Sequence, residues 1–230
     1  MILEIFEETG GNRLTMNYIT PGGVMQDLHP DFVRKVKEVL ASLKKHEHEY
    51  GELLTGNIIF RKRLDGVGTL TPELAVSLGC TGPVARGSGI SCDVRKQAPY
   101  DVYDQVEFKE ILFSGGDCMN RYMVRMEEMK ESISIIEQLI DRIPEGSFRN
   151  KSKGMLRLPE GEYYQRVETA RGELGVYIVA DGSAKPWRVK FRTPNFSNLT
   201  ALKPLSVGSK VGDLVAIMST LDLIIPDIDR

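Results

Sequence analysis

The chain has 230 residues, 41% of them hydrophobic, which suits one large domain or two small ones and excludes a disordered tail or low-complexity linker. Against 32 Asp and Glu stand 30 Lys and Arg, a formal charge of −2, so the basic excess of a phosphate-backbone binder is missing and no nucleic-acid partner is expected. Three irregularly spaced cysteines, Cys80, Cys92 and Cys118, with no CxxC pair, exclude a disulfide framework, a zinc ribbon and an iron–sulfur ligand run, and fit a reducing compartment.

The chain opens on MILEIFEETGG, where Glu4, Glu7 and Glu8 interrupt the apolar residues and no basic start precedes them, so it is not a signal peptide. Ile2, Ile5 and Phe6 read as one face of the middle of an amphipathic helix, as expected of a fragment or one half of a split protein. Asp31 to Leu54 predicts a long charged helix, with Phe32, Val36, Val39, Leu40 and Leu43 at steps of three or four after Pro30. His29, His46 and His48 are the three histidines; His46 and His48 lie on different faces of that helix, so they read as solvated helix residues rather than a metal pair. A short helix is expected over Ile58 to Leu64, a turn over Asp65–Gly68, and a further helix opening on Thr71–Pro72–Glu73, a capping Thr followed by Pro at the first helical position.

Gly79 to Tyr100, with four glycines and Pro83 and Pro99, predicts a long functional loop. Within it Arg86–Gly87–Ser88–Gly89 falls short of a dinucleotide fingerprint, but could bring backbone N–H groups to a ligand, with Arg86 adding a fixed charge. Asp117 to Ile143 is the clearest helix: Tyr122, Met126, Met129, Ile133, Ile136 and Ile140 step 4, 3, 4, 3, 4, a stripe that wants a partner helix. A basic connection follows from Gly146 to Gly161, with Arg149, Lys151, Lys153 and Arg157.

The period then changes to two. Gly175 to Asp181 and Trp187 to Thr193 predict two strands about the Asp181–Gly182 turn, the second with Trp187, Val189 and Phe191 on one face and Arg188, Lys190 and Arg192 on the other, a solvated face or one for an anionic partner. A last helix is expected over Ser209 to Ser219, with Val211, Leu214, Val215 and Met218 as its apolar stripe. Val211 to Ile225 is shorter than the roughly 20 apolar residues of a membrane span and contains Asp213 and Asp222. The fold expected is therefore mainly α with a small antiparallel β element near the C-terminus, a single domain over 1–230 in which residues 1–145 are helical and residues 160–230 contain the β element.

No GxSxG, HExxH or Walker lysine motif is present. Asp222 lies between Leu221 and Leu223–Ile224–Ile225, and a carboxylate there needs a partner or becomes neutral. Two roles stay open for it: a salt bridge with a core arginine, or an acid beside a polar ligand in an apolar pocket.

Five blocks carry a family resemblance: NRLTMNYITPGGV from Asn12, TPELAVSLGCTGPVARGSGISCDVRKQAPYDVYD from Thr71, DCMNRYMVRMEEMKESISIIEQ from Asp117, GELGVYIVADGSAKPWRVKFRTPNF from Gly172, and the terminal LDLIIPDIDR. Together they resemble the C-terminal half of the D subunit of respiratory complex I, the NADH:quinone oxidoreductase. The resemblance implies the fold of the nickel–iron hydrogenase large subunit. It implies a subunit with no metal or cofactor of its own, which packs against a small subunit that bears the terminal iron–sulfur cluster and holds a quinone headgroup between the two. Other peripheral-arm subunits would carry flavin and further clusters, and membrane-arm subunits would pump protons. The subunit would be peripheral on the cytoplasmic face of the membrane, or on the mitochondrial matrix side, and catalytically active only in the complex.

In the hydrogenases the large subunit has Asp-Pro-Cys-x-x-Cys-x-x-His at its end. Laid on this tail, Asp222 matches the Asp, Ile224 and Asp227 stand at the two cysteines and Arg230 at the His, so nickel has no thiolate ligands and a hydrogenase fragment is the weaker alternative, beside a structural or assembly module without quinone chemistry. In the complex I family this tail borders the quinone cavity. The resemblance thus implies Asp222, Ile224 and Met218 as quinone-binding, with Arg86, Gly87 and Arg121 near the terminal cluster or the pocket. For Asp222 a partner from the Arg86 loop, Arg121 or Arg125 is expected, and removing one member of a buried pair costs about 3–5 kcal/mol. The sequence departs from the family in three ways. The N-terminal half with its Gly-x-Gln-His-Pro strand, and the His and Tyr that bond the quinone, are absent. Thr15 stands where many members have His. Ile225–Pro226–Asp227 replaces the usual Phe-Gly-Glu.

Overall fold

The computed structural model describes residues 1–150 and 157–229; Lys151 and Lys153 of the basic connection, and Arg230 of the tail, lie outside the described residues. The first helix, α1 (Ile2–Gly10), ends on Gly11 in the left-handed region, and a two-residue ladder of β1 (Ile19–Thr20) and β2 (Gly23–Val24) follows. The predicted long helix is α2 (Phe32–Tyr50), continued by a single π-turn over Gly51–Thr55. Asn57 caps α3 (Ile58–Leu64) by accepting the Ile59 and Phe60 N–H groups. Thr71 caps α4 (Pro72–Ser77) through the Leu74 N–H, with Pro72 in the first turn as the sequence predicts.

The expected loop from Gly79 to Tyr100 is a core segment. It folds into α5 (Pro83–Arg86) and α6 (Val94–Gln97), and Gly82 to Ser88 are all buried. Small residues are the reason: Gly, Pro, Val and Ala let the backbone pack directly against α7 (Cys118–Leu139). Val84, Ala85, Cys118 and Met119 join Leu64, Leu70, Ala75, Cys80, Ala201, Leu205, Ile217 and Leu221 in one core, so residues from both halves of the sequence meet there.

The stripe on α7 divides. Met126, Ile133 and Ile140 are buried, Tyr122 is half-buried, and Met129 and Ile136 are exposed. The partner helix is α2, running antiparallel to the C-terminal half of α7, with Lys37–Asp141, Lys44–Glu137 and Glu47–Lys130 ion pairs along the seam.

Three antiparallel strands follow in the order β3 (Gly161–Thr169), β4 (Gly172–Ala180), β5 (Arg188–Arg192), with Tyr164 opposite Tyr177 and Tyr177 opposite Lys190. β3 has no counterpart in the sequence reading, because its EYYQRV run is polar and largely exposed and gives no apolar alternation. The expected alternation on β5 is also not converted into burial: Trp187 is 80% exposed, and Val189 and Phe191 are exposed as well. The fold closes with α8 (Pro194–Thr200), α9 (Leu202–Ser206), α10 (Val211–Leu221) and α11 (Ile225–Ile228). On α10 the expected apolar stripe faces outward. Val211, Val215 and Met218 are exposed and Leu214 is half-buried, and the helix buries Ile217, Thr220 and Leu221 instead: Ile217 and Leu221 join the main core, and Thr220 accepts a hydrogen bond from Arg121 on α7.

Candidate functional site

Buried and half-buried charged side chains gather where α5, α6, α7, the β3–β4 turn and the end of α10 converge. At the centre is a cleft of about 460 Å³ lined by Arg86, Arg95, Arg125, Arg171, Glu128, Glu168 and Asp222, with Tyr103, Met129 and Ser132 on its rim.

Arg86 closes α5, and its backbone is held on both sides. Its carbonyl accepts the Phe113 N–H at 3.0 Å, the next carbonyl, Gly87, accepts the Gly116 N–H at 2.8 Å, and the Ser88 hydroxyl donates to the Leu70 carbonyl at 2.8 Å. The side chain is 2% exposed and donates from Nε to Glu128 on α7 at 2.7 Å and from Nη1 to Glu168 on β3 at 2.8 Å. Burial pulls its pKa down, but the two carboxylates more than offset this and hold it above the ordinary arginine value. Burial pushes Glu168 above the usual carboxylate range. The Arg86 charge and hydrogen bond, and the Val94 N–H that Glu168 accepts at 3.1 Å, work against that rise without cancelling it. Beside it, Asp93 caps α6 and takes a two-pronged bond from Arg95 at 3.0 and 2.7 Å, while Arg95 stacks over Phe108. Burial works to raise Asp93, but the Arg95 bond and charge prevail and leave it below the ordinary value.

The second half of the cleft is built on Asp222 and Arg171. Asp222 ends α10 with φ +55, in the left-handed region that Asp and Asn tolerate better than most side chains. Arg171 sits in the β3–β4 turn, which rests on Gly82: Asn198 links them, donating to the Arg171 carbonyl and accepting the Thr81 N–H, each at 3.3 Å. The partner of Asp222 is Arg171, with Nε 3.0 Å from Oδ2 and Nη2 3.4 Å from Oδ1. Arg125 is the more distant cation, its Nε 4.0 Å away. Burial lowers the Arg125 pKa to about 10 despite that carboxylate.

This corrects the expectation for Asp222 in two respects. Arg171, a turn residue that the sequence does not single out, is the near cation, while Arg86 and Arg121 are engaged elsewhere. The carboxylate is also 34% exposed, so the cost of a stranded buried charge does not apply in full, and its removal is worth about 1 kcal/mol of stability.

The cleft brings together Asp222 and Arg86 but not the other four expected residues. Arg121 is fully buried and donates to the Gly116 and Gly68 carbonyls at 2.7 and 3.0 Å, to Cys118 Sγ and to Thr220, with no carboxylate among these partners. It ties α7 to α10 as a core arginine. Gly87 is packed against Arg121, and a Cβ there would meet Arg121 Cγ at 3.1 Å. The loop does not offer its amides to a ligand: the N–H groups of Arg86, Gly87, Ser88 and Gly89 donate to Gly82, Pro83, Ala85 and Arg86. Met218 and Ile224 do not line the cleft; they are exposed beside it, on the outer faces of α10 and the tail.

Among the described residues no group of three or more His, Cys, Asp or Glu side chains is arranged to hold a metal ion, and no helix is long and apolar enough to cross a membrane. Burial pushes the Cys80 and Cys92 thiols up to about 11, so neither is a thiolate at neutral pH.

The chain is 52% identical over 229 residues to the C/D subunit of the NADH-quinone oxidoreductase of Bacteroides thetaiotaomicron, covering 100% of this chain and 43% of that one. It is 43% identical over 230 residues to the D subunit of the NADH-quinone oxidoreductase of Desulfotalea psychrophila, covering 100% of this chain and 62% of the other. It thus spans less than two thirds of the length of these relatives. Among solved structures it superposes with a TM-score of 0.93 on a chain of the membrane-bound sulfane sulfur reductase, an archaeal respiratory membrane complex, at 35% identity over 99% of this chain and 63% of that one. The profile described as "Respiratory-chain NADH dehydrogenase, 49 Kd subunit" matches residues 1–156 and 147–230, and the chain belongs to that family.

Proposed function

We propose that this chain is the portion of a proton-pumping NADH:quinone oxidoreductase that walls the quinone cavity beside the terminal iron–sulfur cluster. The observation that carries the reading is the cleft itself. It joins Asp222 of the tail to two arginines from elements far apart in sequence, in a chain whose relatives are quinone oxidoreductase subunits. Its work there is electrostatic. Arg171 and Arg125 polarise the wall, Asp222 fixes Arg171 by its two contacts, and Met218 and Ile224 offer apolar surface next to it. No nucleophile or acid–base dyad of the chain is required. Electrons arrive through flavin and clusters on partner subunits.

The partners are the N-terminal half of the same subunit, the small cluster-bearing subunit, and further peripheral-arm and membrane-arm subunits. The site of action is the cytoplasmic face of the cell membrane, or the matrix side in an organelle. The hydrogenase alternative is disfavoured by Ile224 and Asp227, which offer no thiolate.

The test is Asp222→Asn in the assembled complex, a change that keeps the left-handed backbone and removes the charge. Donor:quinone activity is expected to fall at least tenfold while donor:ferricyanide activity continues. Ile224→Phe is expected to change the response to quinone analogues with little effect on stability. Wild-type quinone kinetics in Asp222→Asn would remove the tail from the pocket.

A further inference from the structure

The four arginines of the cleft do not share its carboxylates evenly. Arg86 takes both Glu128 and Glu168, Arg95 takes both oxygens of Asp93, and Arg171 takes Asp222. Arg125 is left over. Its Nη1 donates to the Arg121 carbonyl on its own helix at 2.8 Å. Its Nε and Nη2 have no hydrogen-bond partner among the described residues and are shielded from water; Arg171 Nε also lacks a well-aligned hydrogen bond, but lies 3.0 Å from an Asp222 oxygen, and Arg125 has two such nitrogens and no carboxylate that near.

Those two nitrogens form one edge of the planar guanidinium, with parallel N–H bonds that match the two oxygens of a carboxylate. The charged groups around the edge are Arg121 and Glu128 on its own helix, Arg171 on the β3–β4 turn and Asp222 at the end of α10. Arg121 and Arg171 repel the cation, Glu128 is held by Arg86, and Asp222 at 4.0 Å is beyond hydrogen-bond reach. Two adjacent buried donors left empty cost more than one, and a single water satisfies only one of them well. Arg125 lines the cleft beside Asp222, so the cleft is the side from which an acceptor would come.

We propose that the Nε/Nη2 edge of Arg125 is a binding site for a second carboxylate, taken two-pronged and distinct from Asp222. The carboxylate belongs to a small anion or to an acidic side chain of a protein packed over the cleft. The chemistry is the same in both cases, and so is the result: each arginine of the cleft then has its own counter-charge. The inference does not rest on the quinone reading, since it concerns two guanidinium N–H groups that nothing among the described residues bonds, whatever the cleft serves.

The test is a titration of the ¹⁵N-labelled full chain with sodium formate, against sodium chloride at equal ionic strength. The readout is the Arg125 Nε–Hε resonance, assigned by its loss in Arg125→Lys, a variant that keeps the charge and removes the fork. A saturable downfield shift with formate and none with chloride is expected. Asp222→Asn, which removes the rival carboxylate, should bind formate several-fold more tightly. A shift that follows both salts alike without saturating would overturn the proposal. The source is then read in the assembled complex, from modification of Arg125 by phenylglyoxal followed by peptide mass spectrometry. Protection that requires formate identifies a free anion, and protection without it identifies a side chain of a neighbouring protein. Modification as fast as in the isolated chain, with or without formate, would again overturn the proposal. Quinone activity enters none of these readouts, so failure here and failure of the quinone reading are separable.

Discussion

Replacing Arg86 by Gln tests the electrostatic centre of the fold. The guanidinium is 2% exposed and makes charge-assisted bonds of 2.7 and 2.8 Å to carboxylates on α7 and β3, so it joins the helical layer to the sheet. Of the two acids, Glu128 is 20% exposed and can rehydrate, whereas Glu168 is 4% exposed and cannot. The loss therefore falls mainly on Glu168, and removing one member of such a pair costs about 3–5 kcal/mol. The sign of the pH dependence follows. Burial already pushes Glu168 up, and without its cation the pKa rises further, so the native state of the variant binds a proton that the unfolded state releases near pH 4.3. Stability of the variant is then highest below that pH and is lost as pH rises through the native value. Equilibrium urea unfolding at pH 5 and pH 8 measures both quantities. The deficit against the parent chain should be larger at pH 8, and adding Glu168→Gln to Arg86→Gln should recover part of it. A deficit below about 1 kcal/mol, or one of equal size at the two pH values, would refute the reasoning.

Asp93→Asn should cost about 1.5–3 kcal/mol, the worth of a hydrogen bond to a charged partner. Because Arg95 holds the Asp93 carboxyl below its ordinary value, that contribution is present above about pH 4 and disappears as pH falls through the native value, so parent and variant should converge in acid-unfolding curves. Elemental analysis of the purified chain should find no stoichiometric nickel, iron or zinc; a stoichiometric metal would mean that the tail has been misread.

The long helices α2 and α7 were legible from apolar residues at steps of three and four, and α4 from its capping Thr71 followed by Pro72. Asn57, Thr71 and Asp117 accept the orphan N–H groups of the helices they precede, and α3, α4 and α7 begin where those residues stand. The failures share a different cause. β3 is held by its pairing with β4 rather than by an apolar face, and pairing leaves no mark on one strand's own sequence. The buried face of α10 differs from its most continuous apolar stripe because Ile217 and Leu221 meet core residues such as Leu64, Leu70 and Cys118, which lie about 100 or more positions earlier. The site divides along the same line. Asp222 announced itself as a carboxylate in an apolar run, yet its partner Arg171 sits in a polar turn 51 positions away, and only the fold pairs them.

What brings Arg171 to Asp222 is a glycine contact, and that contact makes its own prediction. Gly82 has φ +68 and ψ −153, a region almost closed to other residues, and it lies against the β3–β4 turn so closely that a Cβ would collide with the Arg171 carbonyl and come within 2.5 Å of Gly172 Cα. Backbone cannot swing away as a side-chain tip can, so Gly82→Ala must displace the turn that carries Arg171, and the 3.0 Å contact to Asp222 opens with it. The conformational strain alone is about 1–3 kcal/mol. Gly182→Ala is the control for a positive φ, because Gly182 has φ +81 with nothing within 4 Å of a built Cβ, so it tests a side chain at positive φ without the collision. Urea unfolding should show a larger loss for Gly82→Ala than for Gly182→Ala. In the assembled complex Gly82→Ala should also lower donor:quinone activity while sparing donor:ferricyanide activity, which Gly182→Ala should leave unchanged. Equal losses in the two variants would mean that the turn accommodates the methyl group and that Gly82 has no role in aiming Arg171.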